Sequence, residues 1–259
     1  MMLIDTHAHL DFPELSQDLE GVFRRALERS VVHIVTVGID LKSSFFALKL
    51  AQSFPRVSAT AGVHPHGAHE LSAQEKDQLR DLLAKKEVVA LGEIGLDYYR
   101  DRQPRAIQRR CFQEQLEIAV EVGKPVVFHV REAFDDFFSL VEPVAPKLAG
   151  GVVHCFSGDW EIAKRCLDLG FYISIPGVIT YSNALILRDV VKRVPVNSIL
   201  VETDAPFLAP VPYRGKPNEP SYVFYTAMEI ANIKGMDLES LGDQTTQNAI
   251  RVFNISIQT

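Results

Sequence analysis

Val88-Val89-Ala90-Leu91-Gly92-Glu93 is an apolar run that ends on a carboxylate. A run of four to eight such residues reads as a buried strand whose last side chains emerge at one end of a sheet. The arrangement recurs along the chain. Ile4-Asp5-Thr6-His7-Ala8-His9 ends on two imidazoles, Pro125-Val126-Val127-Phe128 runs into His129, and Gly151-Val152-Val153 into His154. Ile199-Leu200-Val201-Glu202-Thr203 leads to Asp204. Polar groups at the same end of several parallel strands converge on one place. Imidazoles and carboxylates converging there suit a divalent metal.

Along the chain, strand-like runs fall near 2–6, 33–38, 57–62, 88–93, 125–129, 151–155, 171–175 and 198–202. Segments of helical period lie between them: 18–30, 41–53, a helix opened by Ser72 with Glu75 three residues on, 106–122, 159–169 and 184–191. The Ser72/Glu75 spacing is a capping box. Eight such alternations predict a (β/α)8 TIM barrel, with an open doubly wound sheet as the alternative. The tail, 222–254, reads as two extra C-terminal helices, and the chain from 1 to 259 as one domain. The segment Ala205 to Pro220 holds five prolines and is expected to be an ordered loop near the barrel mouth.

The chain has 259 residues, 47% apolar and 23% charged, with a net charge of −6. That balance disfavours a general nucleic-acid coat protein, though not a local basic groove. Cys111, Cys155 and Cys166 are too scattered for a disulfide framework, which fits a reducing compartment. The N-terminus lacks a basic start followed by a long apolar stretch, and no apolar run approaches the roughly 20 residues of a membrane helix. A cytoplasmic, monomeric protein without a membrane partner is the expectation.

In a barrel the active site lies at the C-terminal ends of the strands. His7 and His9, two apart on an extended strand, face the same way and can grip one ion. Alone, a His-x-His could equally be two core or surface histidines; the other strand ends favour the metal. Glu93 sits between Gly92 and Gly95, where small residues allow close approach. Its alternative, a buried carboxylate paired with a barrel arginine, is the weaker one, because a buried charge needs a strong partner. Four histidines and two carboxylates exceed what one four-coordinate ion needs. Two ions about 3.5–4 Å apart, bridged by Glu93, would use them all. Such a pair activates water near neutral pH and clamps the oxygens of a phosphoryl group. Asp204 could bind one ion and still orient or deprotonate the water, so Asp204 and Glu93 are the candidate catalytic residues.

With these residues in view, the chain resembles the TatD family of metal-dependent deoxyribonucleases, within the amidohydrolase-like superfamily. The matching segments are Asp5-Thr6-His7-Ala8-His9-Leu10-Asp11, Gly62-Val63-His64-Pro65-His66, Gly92-Glu93-Ile94-Gly95-Leu96-Asp97-Tyr98 and His129-Val130-Arg131-Glu132-Ala133. His154-Cys155-Phe156-Ser157-Gly158, Glu202-Thr203-Asp204-Ala205-Pro206 and Arg214-Gly215-Lys216-Pro217-Asn218-Glu219-Pro220 complete them. The resemblance runs from about 3 to 254. It implies that His7, His9, Glu93 and Asp204 hold one ion, and Glu93, His129 and His154 the other. It also implies a glutamate at the fourth-strand position in place of the superfamily's modified lysine.

Outside the ligand set, His64 follows the third strand. The resemblance suggests that it contacts substrate phosphate or the leaving group; otherwise it caps the turn before Pro65. Arg131, two residues beyond His129, could bind a phosphate bidentately or serve as a partner for Glu93 or Asp204. Asp5 and Glu202 are read as orienters of an imidazole. Arg100, Arg102, Arg105, Arg109 and Arg110, with Tyr98 and Tyr99, could track a nucleic-acid backbone, or could form a solvated helix start paired with Asp101 and Glu114. Arg214 and Lys216 are weaker candidates. Trp160 is assigned to core packing, with a stacking role near the mouth as the alternative. Cys155 is expected to be an inert thiol pointing to the far face of its strand.

The function expected is hydrolysis of phosphodiester bonds in DNA, on single strands or ends and of 3'-5' exonuclease type, with two divalent ions (Mg2+, Mn2+ or Zn2+). A metal-dependent carbonyl hydrolase acting on an amide, ester or aminoacyl-tRNA is the alternative on the same site. A non-catalytic metal-binding protein would require loss of the water-activating residue, and Asp204 is present.

Overall fold

Eight parallel strands form one sheet, each paired with its neighbour in the chain. They are β1 (Leu3–Ala8), β2 (Val31–Thr36), β3 (Val57–Ala61), β4 (Val88–Asp97), β5 (Val126–Arg131), β6 (Gly151–Val153), β7 (Tyr172–Ile175) and β8 (Ile199–Val201). A computed structural model describes residues 1–257 of the chain. The sheet closes on itself. Thr6 Oγ1 donates to the Val201 carbonyl (2.9 Å), the Asp204 N–H to His7 O (2.9 Å), and the His9 N–H to Ala205 O (2.8 Å). The open doubly wound alternative is thereby excluded, and the fold is the (β/α)8 barrel.

The helices are α1 (Pro13–Ser16), α2 (Leu19–Glu28), α3 (Leu41–Ser53), α4 (Ala73–Leu83), α5 (Arg105–Val122), α6 (Phe134–Val141), α7 (Trp160–Asp168), α8 (Leu185–Arg193), α9 (Val223–Lys234) and α10 (Leu238–Phe253). The capping box predicted before α4 is formed: the Glu75 N–H reaches Ser72 Oγ (3.2 Å), and Glu75 Oε2 accepts from the Ser72 N–H (2.8 Å). Such a cap contributes about 1 kcal/mol. The C-terminal end of α5 stops at Gly123, whose φ of 66° lets its N–H turn back to the Ala119 carbonyl. Helix α6 was not anticipated. Its Phe134, Phe137, Phe138 and Val141 fall at i, i+3, i+4 and i+7, a helical signal in a segment short enough to pass as a loop.

The core lies in two parts. Ile4, Val89, Val127, Val152 and Leu200, from five strands, pack against Val252 and Phe253 at the end of α10. The larger part fills the space between strands and helices, with Phe112, Leu116, Phe137 and Phe138 fully buried against Leu91, Ile94 and Phe128. Strand β4 is longer than expected. It continues past Glu93 to Asp97, pairing Gly95 with His129 and Asp97 with Arg131. That pairing needs Gly95: its φ is 148°, and a Cβ there would lie 1.9 Å from the His129 carbonyl oxygen. The absent side chain lets β4 and β5 close up just where Glu93 and His129 meet.

Candidate metal centre

All six residues singled out from strand ends meet at one end of the barrel. His7 is the penultimate residue of β1 and His9 follows the strand. Glu93 lies within β4, His129 within β5, His154 just after β6, and Asp204 three residues beyond β8. Closure of β1 on the segment after β8 carries Asp204 to His7 and His9, nearly 200 positions away in the chain. The Asp204 backbone is left-handed, with φ of 57°, a conformation Asp tolerates better than most residues and one that collects at functional sites.

The two oxygens of Glu93 face different partners. Oε2 lies 3.4 Å from His7 Nε2 and 3.9 Å from His9 Nε2. Asp204 Oδ1 completes that set, 3.8 Å from His7 Nε2 and 3.3 Å from His9 Nε2. Oε1 lies 2.7 Å from His129 Nδ1 and 2.7 Å from His154 Nε2, and those two nitrogens are 3.2 Å apart. His64 Nε2 is 3.4 Å from the same oxygen. His7 and His154 stack face to face across the barrel, with ring centroids 3.9 Å apart.

These groups fit metal ions. Bonds of about 2.0–2.1 Å to a tetrahedral ion put ligand atoms about 3.4 Å apart, close to the spacing of the first set. His7 is fully buried, yet neither of its ring nitrogens has a hydrogen-bond partner. An unpaired buried polar group costs about 1–3 kcal/mol, and a cation offers the missing partner. Charge points the same way. Burial opposes ionisation of Glu93, but the surrounding histidines, His154 foremost, hold its carboxyl well below the usual carboxylate range. Burial likewise opposes protonation of His154, His9 and His129. The carboxylates beside them outweigh it and raise all three, His154 most strongly through Glu93 and Glu202. A cluster that draws protons onto three buried imidazoles has the field a divalent cation needs.

His64 differs from these. Its Nδ1 accepts the His66 N–H (3.0 Å), which leaves the ring proton on Nε2 facing Glu93 and the cavity. Burial pushes its pKa down to about 4, so it is a neutral donor at pH 7.

The outer residues divide. Glu202 Oε1 lies 3.5 Å from His154 Nδ1, and its oxygens are fixed by the Cys155 N–H (2.6 Å) and Ser174 Oγ–H (2.6 Å), as an orienting carboxylate should be. Asp5 does not act on an imidazole. It accepts from the Thr203 N–H (2.9 Å), the Thr203 hydroxyl (2.6 Å) and the His7 N–H (3.3 Å), tying β1 to the Asp204 segment. Burial pushes its carboxyl up to about 8, even against the pull of these donors. Cys155 does not face away. Strand β6 ends at Val153 and Cys155 has φ of 44°, so strand alternation no longer applies and the side chain lines the cavity. Burial and the nearby carboxylates raise its thiol well above the ordinary value, which keeps it inert.

Asp97 was missed. Its Oδ2 lies 3.1 Å from His129 Nε2 and 2.8 Å from His66 Nε2, and its Oδ1 accepts the Arg100 N–H (2.7 Å). A Leu-Asp-Tyr run read as lying beyond the strand hides this; the signal was that Asp97 sits four residues after Glu93. Trp160 packs against the core as expected. Among the arginines, Arg105 pairs with Asp101 (3.6 Å), Arg109 with Asp136, and Arg110 with Glu70 and with Glu114 (3.4 Å). Arg100, Arg102 and Arg131 instead line a cavity of about 1140 Å3 that opens over the centre. Arg131 is exposed, with its guanidinium 4.0 Å from the centre of the Tyr99 ring.

A parallel barrel carrying a histidine–carboxylate cluster at the C-terminal ends of its strands defines a hydrolase scaffold of the kind that works through metal-activated water. The chain belongs to the TatD related DNase family, whose model matches residues 4–254, which makes it a hydrolase acting on ester bonds. It is 40% identical over 255 residues to a Bacillus subtilis protein described as an uncharacterized metal-dependent hydrolase, YabD, covering 98% of this chain and all of that one. It is 37% identical over 259 residues to the 3'-5' ssDNA/RNA exonuclease TatD of Escherichia fergusonii, covering 98% and 100%. The crystal structure of YJJV, a TatD homolog from Escherichia coli, superposes with a TM-score of 0.92 at 32% identity over 98% of both chains. No helix of the described residues is long and apolar enough to cross a membrane.

Proposed function

We propose that the protein hydrolyses phosphodiester bonds in DNA, on single strands or at ends, with two divalent ions. Glu93 carries this reading: its two oxygens are turned to two separate ligand sets, 3.4 Å from His7 and 2.7 Å from His129 and His154. His7, His9, Glu93 and Asp204 would hold one ion, and Glu93, His129 and His154 the other. Bound there, the ions would supply Lewis acidity, lowering the pKa of the attacking water and neutralising charge on the phosphoryl oxygens. Asp204 orients that water and takes its proton through the carboxylate. The Nε2–H of His64 donates to a phosphate oxygen or to the leaving oxygen, a role open to a neutral imidazole whose other nitrogen is already engaged. Arg131 grips a phosphate with its planar fork while Tyr99 supports it from behind. The relative described as a 3'-5' ssDNA/RNA exonuclease supports a nucleic-acid strand as substrate and the 3'-5' direction.

End-labelled single-stranded DNA, digested with Mg2+, Mn2+, Co2+ or Zn2+ beside the His129→Ala protein, tests this. A ladder shortening from the 3' end, absent from the variant, is expected. No digestion with any of the four metals sinks the nuclease reading and moves the search to carbonyl substrates.

A further inference from the structure

The cavity over the centre is polarised around the barrel. Arg100 and Arg102 follow β4, and Arg131 ends β5. Phe12 follows β1, and Phe207 follows β8. In a ring ordered β1 to β8, the β4–β5 side and the β8–β1 side lie across the mouth from each other. One side is therefore cationic and the other aromatic, with Glu93 between them.

The aromatic side is built and left uncovered. Phe207 packs edge-on against Phe12 at 5.2 Å, and both rings stand 5.7–6.0 Å from His9. Phe207 nevertheless keeps 46% of its surface exposed. Leu185 and Ile186, which line the same cavity at the start of α8, are 71% and 66% exposed. The ring is not a loose loop residue. The side-chain amide of buried Asn218 donates to the Phe207 carbonyl (2.7 Å) and to the Thr203 carbonyl (2.8 Å), and the Phe207 N–H returns to Asp204 O (2.8 Å). Phe207 is thus held in register with Asp204. A rigid aromatic face open to a cavity, with cations on the far wall, fits a ligand that has a flat ring at one end and phosphates at the other.

We propose that Phe207, backed by Phe12, is the platform on which the terminal base of a nucleic-acid strand stacks, while the phosphates on its other side track Arg131, Arg100 and Arg102. The assignment rests on the phosphodiesterase reading and narrows it. A base inside a duplex has both faces covered by its neighbours, whereas an unpaired terminal base can leave the stack for an aromatic side chain. The platform therefore favours frayed or single-stranded ends and tolerates any base, since every base has a π-face.

A trinucleotide ending in 2-aminopurine, whose fluorescence falls on stacking, is titrated into the Asp204→Asn protein so that cleavage is slow. Its emission should fall on binding. Phe207→Ala in the same background should leave the bound probe bright and weaken binding at least fivefold, about 1 kcal/mol. Phe207→Tyr should restore both. A trinucleotide with an abasic end should bind alike with Phe or Ala at 207. Quenching that survives Phe207→Ala, or equal binding of base-bearing and abasic ends by the protein that keeps Phe207, would overturn the platform. Hydrolysis of the same probe by the unsubstituted protein in Mn2+ is scored separately. Quenching without hydrolysis would remove the phosphodiesterase and leave the platform; hydrolysis without quenching would do the reverse.

Discussion

Asp97 Oδ2 stands 3.1 Å from Nε2 of His129, whose other nitrogen faces Glu93 at 2.7 Å. Burial disfavours the Asp97 carboxylate, but hydrogen bonds from His129 and His66 hold it well below the usual carboxylate range, so it is ionised at neutral pH. A carboxylate on the far nitrogen of a ligating imidazole fixes the ring and raises its basicity. Asp97→Asn keeps the shape and removes the charge. We expect a 10- to 100-fold loss of metal affinity or turnover with an unchanged circular dichroism spectrum. A metal titration and rate within threefold of the parent would show that His129 is held by something else.

Asp204 is assigned the proton of the attacking water. Asp204→Asn should fold normally and lose more than tenfold in turnover, over about 1.4 kcal/mol of barrier. Steady-state kinetics decide it: a smaller loss would leave Asp204 as a ligand only.

In the proposed two-ion centre Glu93 is the carboxylate shared by both ligand sets, so its removal should be felt in metal content before anything else. Elemental analysis of Glu93→Ala should find at least one ion fewer per chain. An unchanged stoichiometry would rule out the bridging role.

Gly95 makes the β4–β5 approach possible. In Gly95→Ala the added methyl meets the His129 carbonyl at 1.9 Å and the residue must hold φ near 148°. We expect a loss of about 2 kcal/mol or more in stability, read by urea denaturation, together with weaker metal binding. A variant as stable as the parent would mean that the two strands have slack at this point.

His33, on β2 and away from the centre, is buried against Ser58 Oγ at 2.8 Å, and burial pushes its pKa down to about 4 from 6.5. The folded protein therefore resists protonating it, while the unfolded chain accepts the proton below pH 6.5. Stability is fully present above that pH and is lost as pH falls from 6.5 through 4, by about 3 kcal/mol for this group. Denaturation midpoints across this window should slope less steeply in His33→Gln. Parallel slopes would show that other groups dominate acid unfolding.

Much of the site was legible in the chain because two periods write it. Apolar runs of strand length place the barrel strands, and the residues that end them must come out at one rim, so His7, His9, Glu93, His129, His154 and Asp204 could be picked out together. The capping box at Ser72 and Glu75 and the long α5 are local patterns and read equally well. What escaped depends on backbone that no period describes. The end of β4 could not be placed, since a glycine-spaced run reads as a loop, and with it Asp97 was lost. The orientation of Cys155 was inverted because strand alternation stops at Val153 and a left-handed residue follows.

Strand period and strand order dictate the class of fold and which side chains gather at the barrel mouth, and both can be read along the chain. How those side chains divide the work comes from the folded arrangement: which oxygen of Glu93 faces which histidines, that Asp5 clamps backbone while Glu202 and Asp97 back imidazoles, and that Phe207 stands beside His9. Those relations are set by the closure of β1 on β8 and by the register of β4 on β5. Both are contacts between residues far apart in the chain, with geometry fixed by packing, and no local pattern of residues encodes them.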